Sequence, residues 1–146
     1  GPIQTQLQSA PLVLLEASLE ERVERIFNEY IIEQWLEYQN WFNGTALAEF
    51  SRYLLTAMDA IKKRLGPGLH KQLRQDMEQA LNKQQEGEFS THKVWIEGLL
   101  SHYYDPMYNY QINKKADRII FRGDKQEILQ WLQSQQNNPR IDSTGP

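Results

Sequence analysis

Cysteine is absent from the 146-residue chain, and long apolar runs are absent as well. Without a thiol, the sequence cannot form a disulfide, a thiolate zinc site or a cysteine nucleophile. No stretch reaches the roughly eighteen apolar residues that cross a bilayer, and no basic segment followed by an apolar one marks a secretory leader. These absences exclude three kinds of chemistry and predict a cytoplasmic chain without membrane association.

Histidine is scarce, and its three positions do not form a metal-binding pattern. His70, His92 and His102 lack the i, i+4 spacing and the flanking carboxylates of a ligand set. The carboxylates between Glu16 and Glu37 are spread around one helix surface and do not form a convincing acid and base pair. We therefore predict no metal, no cofactor and no catalytic residue in this chain.

A strong excess of either charge is also missing, since the net charge is -3. Up to Ile61, however, nine acidic residues face only three arginines, whereas the residues from Lys62 onward carry a small basic excess. A weakly basic second half is compatible with an RNA or phosphate partner. This basic excess is too small to predict an RNA or phosphate partner by itself.

The composition, with 40% hydrophobic and 24% charged residues, is typical of one globular domain. Gly1-Pro2 is typical of the residue left by removal of an expression tag, so residues 1–10 are interpreted as a scar and linker. We place a single helical α/β domain at residues 11–133. Residues 134–146 are polar and are predicted to form a disordered tail.

Two short apolar stretches predict β-strands. The first is PLVLLE, residues 11–16, and the second is RIIFR, residues 118–122. The first run lacks polar alternation, which is typical of a strand covered on both faces. Either the two strands pair with each other under the helices, or they belong to a larger parallel sheet. The apolar run favours the larger sheet.

Apolar residues at helical spacing fill the interval between the strands and continue after the second one. Ser18 with Glu21, and Asp124 with Glu127, have the spacing of a capping box. Asp105-Pro106 is predicted to cap and restart a short helix. The predicted helices begin at Ser18, run through Leu47 to Leu65 and through Leu69 to near Gly87, and begin again at Ser90 or Thr91, at Asp105 and at Asp124.

The predicted fold is therefore mostly α with a small parallel β component. Since a two-stranded sheet is not stable alone in water, the chain is expected to be a fragment of a larger α/β domain. Unpaired strand edges are expected to promote self-association.

Three segments resemble the tRNA 2-selenouridine synthase family in order and spacing. They are PLVLLEASLEERVERIFNEY, YYDPMYNYQINKK and RIIFRGDKQEILQWL, and together they span Pro11 to Leu132. The first is common among strand–helix units. The second is much more specific, because helix packing alone would not dictate tyrosines around Asp-Pro followed by a basic pair.

The resemblance implies the C-terminal part of a P-loop-type domain in a transferase that acts on wobble 2-thiouridine of tRNA. Members replace sulfur with selenium from selenophosphate, through an S-geranyl intermediate made from geranyl diphosphate. They combine a rhodanese-like domain, which has a reactive cysteine, with a Walker-type phosphate loop. This sequence has neither a cysteine nor a G-x-x-x-x-G-K-[ST] motif. The expectation is a chain that is inactive alone and is partnered by tRNA and by the missing N-terminal part.

The tyrosine-rich segment supplies the candidate RNA-binding residues. Aromatic rings can stack on unpaired bases while cations contact phosphates. The alternative is that Asp105-Pro106 forms a helix junction and most of the rings fill a core. The candidates are Tyr103, Tyr104, Tyr108, Tyr110, Lys114 and Lys115.

Four arginines are the candidate phosphate-binding residues. Arg22 and Arg25 follow the first strand, and the resemblance places them on a helical lid that presents arginines to phosphates. Arg118 and Arg122 flank the second strand, near the edge where α/β sheets place ligands. A solvated helix face and a soluble strand edge explain the same residues without a ligand. Lys62-Lys63-Arg64 at a helix C-terminus is explained by the helix dipole, and a contact with a phosphate backbone stays open as the alternative.

Two other functions remain open from the residues. One is a helical protein-interaction domain that uses the tyrosine-rich junction, and the other is a stand-alone RNA-binding module. RNA binding would weaken steeply with salt, because each neutralised phosphate releases counterions.

Overall fold

The computed structural model describes residues 10–136. The chain divides into two compact units. The helical unit is Leu19–Tyr108, and the strand unit combines the residues up to Ser18 with those from Asn109 onward. No helix in the described range is long and apolar enough to cross a bilayer.

Helices dominate the chain, and two strands lie near its ends, as predicted. Two of the helical segments have the wider π-helical winding. The elements are β1 (Leu12–Leu15), α1 (Leu19–Ile26), a first π-helical segment (Phe27–Glu33), α2 (Gln34–Trp41), α3 (Ala46–Ala60), α4 (Lys62–Leu65), α5 (Pro67–Gln85), α6 (His92–Leu99), a second π-helical segment (Leu100–Tyr104), α7 (Asp105–Lys114), a 3-10 turn (Ala116–Arg118), β2 (Ile119–Gly123) and α8 (Lys125–Gln136).

The core of the helical unit forms where the apolar faces of α1, α3, α5 and α6 meet. These faces are the stripes that the 3-4 spacing predicts, and burying each large side chain contributes about 1.5–3 kcal/mol. Gly98 on α6 lies so close to α5 that an added Cβ would be 2.7 Å from the Leu73 side chain. The largest fully buried side chains are Phe50, Ile31, Leu73, Met77, Ile96 and His92.

The helix boundaries follow glycine and proline. Gly66 has φ +83, which a residue with a side chain rarely adopts, and Pro67 is the first residue of α5. The predicted stop after Leu65 is confirmed. Gly87, with φ +90, follows the end of α5 in the same way.

Asp105 does not cap a new helix, and this prediction is wrong. The second π-helical segment leads directly into α7, and Asp105 has helical angles, φ -66 and ψ -44. Proline lacks the N–H that an uninterrupted α-helix needs, and the π-helical segment ends at Tyr104, immediately before Asp105-Pro106. The chain therefore remains helical through the Asp-Pro pair, and the Asp105 side chain is available for another contact.

The strand unit is built on a two-stranded parallel sheet. Leu12 pairs with Ile119 and Leu15 with Gly123, and the register shifts between Leu12 and Val13. The two strands are direct neighbours and form the whole of the sheet within the described residues. Helix α8 packs on both strands, and the Phe121 ring stacks on Trp131 with 5.0 Å between ring centroids.

One side of each strand is not covered by the described residues. Val13 is 41% exposed, Leu15 53% and Ile120 57%. Burial alternates along both strands, because α8 packs against one side of the sheet.

Helix α8 begins with the predicted capping box. The Asp124 carboxylate accepts a hydrogen bond from the Glu127 amide at 2.8 Å, and the Glu127 carboxylate accepts one from the Asp124 amide at 3.0 Å. The helix continues to Gln136, past the predicted start of the tail. The remainder of the predicted tail, residues 137–146, and most of the predicted linker, residues 1–9, lie outside the described residues.

Candidate functional site

Arg22 and Asp105 form a bidentate ion pair within the helical unit. The Arg22 Nη1 donates to Asp105 Oδ1 at 2.6 Å, and Nη2 donates to Oδ2 at 3.1 Å. Both side chains are about three-quarters buried, with 26% and 28% exposed. The hydrogen bond to Asp105 raises the pKa of Arg22, although burial opposes it. The pair fixes the plane of a guanidinium that the sequence assigned to phosphate binding.

The tyrosines near this pair are largely exposed. Tyr103 is half-buried and meets Tyr104 edge-on, with ring centroids 4.9 Å apart. Tyr104 is 40% exposed and Tyr108 50%. The alternative in which most of these rings fill a core does not describe Tyr104 and Tyr108.

A groove opens in the helical unit, and we call it the tyrosine-rimmed groove. Its volume is about 610 Å³. The floor consists of core side chains, and the rim contains three exposed or half-exposed tyrosines. The lining residues are Ile26, Glu29, Tyr30, Tyr53, Leu54, Ala57, Met58, Ile61, Met77, Trp95, Leu99, Leu100 and Tyr104.

The groove lies next to the Arg22–Asp105 pair along the chain. Arg22 precedes the lining residue Ile26 by one helical turn, and Asp105 directly follows the lining residue Tyr104. Sequence reasoning missed the groove because it assigned Tyr30 to a buried stripe. In the π-helical segment, successive side chains are spaced differently around the helix axis than in an α-helix. Tyr30 therefore does not face the core with the rest of the stripe and is 49% exposed.

The strand unit holds the other half of the tyrosine-rich segment. Tyr110 is 62% exposed, and the Lys114 Nζ lies 4.6 Å from the centre of its ring. Lys115 is exposed and follows the end of α7. An exposed aromatic ring with a cation over one of its faces is thus present at the surface of this unit.

Arg118, in the turn before β2, and Arg122, on β2, both contact residues that flank β1. The Arg118 Nε donates to the carbonyl of Ala10 at 2.9 Å. Arg122 Nη2 lies 3.0 Å from the Glu16 carboxylate, and both side chains are about half exposed. In this chain both arginines therefore make contacts that hold β1 beside β2.

The remaining candidates make fewer contacts. Arg25 is exposed and has no ion-pair partner within residues 10–136. No cluster of metal-ligating side chains occurs in that range either. The structure thus divides the predicted site: Arg22, Arg25, Tyr103, Tyr104 and Tyr108 belong to the helical unit, and Tyr110, Lys114, Lys115, Arg118 and Arg122 to the strand unit.

Comparison with known proteins shows the family to which this chain belongs. A family model described as the tRNA 2-selenouridine synthase AAA domain matches residues 1–139. The chain belongs to the tRNA 2-selenouridine synthase family. No solved structure shows a significant match.

Curated relatives support the same family. The chain is similar to the tRNA 2-selenouridine synthase of Pseudomonas fluorescens, with 40% identity over 132 residues, 90% of this chain and 36% of the relative. It is 46% identical to that of Shewanella loihica over 128 residues, 86% of this chain and 34% of the relative. The Shewanella piezotolerans protein is 45% identical over 128 residues, with 86% and 35% covered. The chain thus spans about a third of the length of these relatives.

Proposed function

We propose that the chain is the C-terminal part of a transferase that replaces the sulfur of wobble 2-thiouridine in tRNA with selenium. The family match over residues 1–139 is the observation that carries this proposal. In the proposed reaction selenophosphate supplies selenium, and geranyl diphosphate forms the S-geranyl intermediate. The proposed macromolecular partner is tRNA, and the proposed compartment is the cytoplasm.

The proposed role of this chain is a lid over phosphates and a surface that faces the tRNA. Its sequence has no thiol and no phosphate loop, so the bond-making groups are assigned to the N-terminal part of the synthase. The chain alone is therefore proposed to be inactive. Exposed apolar residues on β1 and β2 support a role beside further chain, and the same residues would drive self-association in its absence.

Arg22 supports the lid role. Asp105 holds its guanidinium in one orientation, and about a quarter of the Arg22 side chain is accessible. A fixed guanidinium loses little conformational entropy when it binds a phosphate. Arg25, exposed one turn later on α1, is the second proposed phosphate contact.

The surface around Tyr110 supports the tRNA-facing role. Its ring is 62% exposed, the Lys114 ammonium lies over one face of the ring, and Lys115 follows in the chain. RNA is commonly bound by this combination, since every base has a flat face and every nucleotide a phosphate.

Salt dependence of tRNA binding tests the tRNA-facing surface. The double substitution Lys114→Ala and Lys115→Ala should weaken binding to unmodified tRNA and reduce the slope of log Kd against log salt by about 1–2, since up to two phosphate contacts are lost. Fluorescence anisotropy with labelled tRNA, measured across a salt series, gives both quantities.

The matched control is the double substitution Lys62→Ala and Lys63→Ala. It removes the same charge from α4, where the two lysines complement the helix dipole. It should leave the slope unchanged. Equal slopes for both double variants, or no tRNA binding at low salt, would contradict the proposed surface and favour a protein-interaction domain.

A further inference from the structure

We infer that the outer face of helix α2 binds a basic amphipathic segment of a partner protein. This face consists of five exposed residues that adjoin one another at helical spacing, namely Glu33, Leu36, Glu37, Asn40 and Trp41. None of them is among the residues proposed to contact phosphates or tRNA. The inference therefore stands independently of the proposed function.

Two large apolar side chains on the outer face of α2 are open to solvent. Trp41 is 63% exposed and Leu36 is 58% exposed. Within the described residues, no other large apolar side chain of the helical unit is exposed to this extent. With 3.6 residues per turn, Leu36 and Trp41 lie at opposite sides of the face, and Glu33 and Glu37 lie between them. A partner that covers both apolar side chains would remove their surface from water, which is favourable.

The Trp41 ring is supported by a series of aromatic contacts that reaches the core. The centroid of the Trp41 ring lies 5.6 Å from that of Tyr38, and Tyr38 meets Phe50 edge-on at 5.4 Å. Phe50 is fully buried. A supported ring loses little conformational freedom on binding, and tryptophan is among the residues that contribute most to binding at protein interfaces. Trp41 is therefore a suitable anchor for a partner.

Glu33 and Glu37 indicate the charge of the partner. The helix is continuous through Glu33, which has φ -66 and ψ -43, so the two carboxylates are four positions apart on one face. Like charges at this spacing destabilise a helix. Neither carboxylate has an ion-pair partner within residues 10–136. A lysine or arginine of a partner would relieve the repulsion, and the exposed Trp41 ring can bind a second cation over its face.

The same charges argue against three other occupants of this face. RNA and an anionic membrane surface would each bring phosphates against the carboxylates. The arginine of the neighbouring helix α3, Arg52, already lies 3.4 Å from Glu49. In a two-fold dimer the face would meet its own copy, which would bring the acidic stretches of both copies together. A segment with both apolar and basic side chains matches the face on both counts.

Peptide binding to the 146-residue chain tests the inference. The probe is a fluorescent amphipathic peptide made of leucine and lysine, and anisotropy measures its affinity. It should bind saturably, whereas a matched peptide of leucine and glutamate should not bind. A peptide of glutamine and lysine with the same charge should bind at least about tenfold more weakly, because it has no apolar side chains to cover Leu36 and Trp41.

Substitutions on the face should weaken binding of the leucine–lysine peptide. Trp41→Ala should do so by about tenfold or more, and so should the double substitution Glu33→Gln with Glu37→Gln. The matched charge control is Glu20→Gln with Glu97→Gln, which removes two exposed carboxylates from α1 and α6. This control should change the affinity by less than about twofold.

Circular dichroism verifies that each variant is folded. Leu36→Gln, at the other exposed apolar position, provides the same test if Trp41→Ala does not fold. The indole N–H signal of Trp41 in an NMR spectrum should also shift when the leucine–lysine peptide is added.

Three results would overturn the inference. Equal losses of affinity for the two double variants would mean that net charge alone attracts the peptide. Binding of tRNA that Trp41→Ala abolishes would make the face an RNA-binding surface. A concentration-dependent self-association that the same substitution abolishes would make the face a contact between copies of this chain.

Discussion

At the scale of single residues, His92 is fully buried in the helical unit, yet both of its ring nitrogens have partners. The Trp95 Nε1 can only donate, and it donates to His92 Nδ1 at 2.9 Å. Nδ1 therefore carries no proton, and Nε2 donates to the Gln84 side-chain oxygen at 2.8 Å. Burial lowers the pKa of His92 to about 4, although the nearby Glu88 opposes the shift. The neutral ring is the form that this core accommodates.

His92 should make the protein less stable in mild acid. The unfolded chain takes up the proton near pH 6.5, whereas the folded protein resists it down to about pH 4. The free energy of unfolding should therefore fall as the pH falls from about 6.5 to about 4, by about 3 kcal/mol at most. Urea unfolding across this range, followed by circular dichroism, measures the change.

The comparison for this prediction is His92→Gln, which keeps hydrogen-bonding groups but cannot become charged. Its unfolding free energy should change less between pH 6.5 and pH 4 than that of the unsubstituted protein. Parallel curves for the two proteins would show that His92 does not cause the acid sensitivity.

The sequence predicted some residue roles and missed others. The exchange of hydrogen bonds between Asp124 and Glu127 was predictable, because both partners lie within one turn. Asp105 was assigned to a cap because Asp-Pro so often starts a helix. Its real partner, Arg22, is 83 positions away in the chain. No local pattern records a contact of that separation.

At the scale of helices, the Arg22–Asp105 pair joins α1 to the start of α7 within the helical unit. Asp105→Asn and Arg22→Gln should each lower the free energy of unfolding by about 1 kcal/mol, since a paired and partly buried charge loses its partner. The double variant should lose less than the sum of the two single losses, with a coupling of about 1 kcal/mol. Urea unfolding of the four proteins provides this double-mutant cycle.

Arg25→Gln is the control for that cycle. Arg25 is exposed on the same helix, and it has no ion-pair partner in the described part of the chain. Its loss should change stability by less than about 0.5 kcal/mol. Additive losses for Arg22→Gln and Asp105→Asn would mean that the contact does not stabilise the fold.

Most elements were predictable because their signals are local. Apolar spacing placed α3 and α5, and Gly66 with Pro67 marked the boundary before α5. The π-helical segments were not predictable, because a residue composition does not distinguish i→i+5 from i→i+4 bonding. Since both segments line the groove, the groove could not be predicted either.

At the scale of the whole molecule, membership of the family could be predicted from the sequence. The distribution of the candidate residues between two compact units could not. The tyrosine-rich segment and the two strands pointed to the synthase family, and residues 1–139 match its model. The sequence could not show that the candidate residues fall into two units, because that division depends on contacts between distant segments. Nor could it show that one side of each strand is exposed.

The proposed role of this chain is to supply a lid and a tRNA-facing surface to a tRNA-modifying transferase, without a bond-making group. It is tested most directly by incubating the purified 146-residue chain with thiouridine-containing tRNA, selenophosphate and geranyl diphosphate. Nucleoside mass spectrometry of the digested tRNA measures the product, with an intact synthase of the family as the positive control. We predict geranylated and selenated uridine with the intact enzyme and unchanged 2-thiouridine with the chain alone. Turnover by the chain alone would contradict the account.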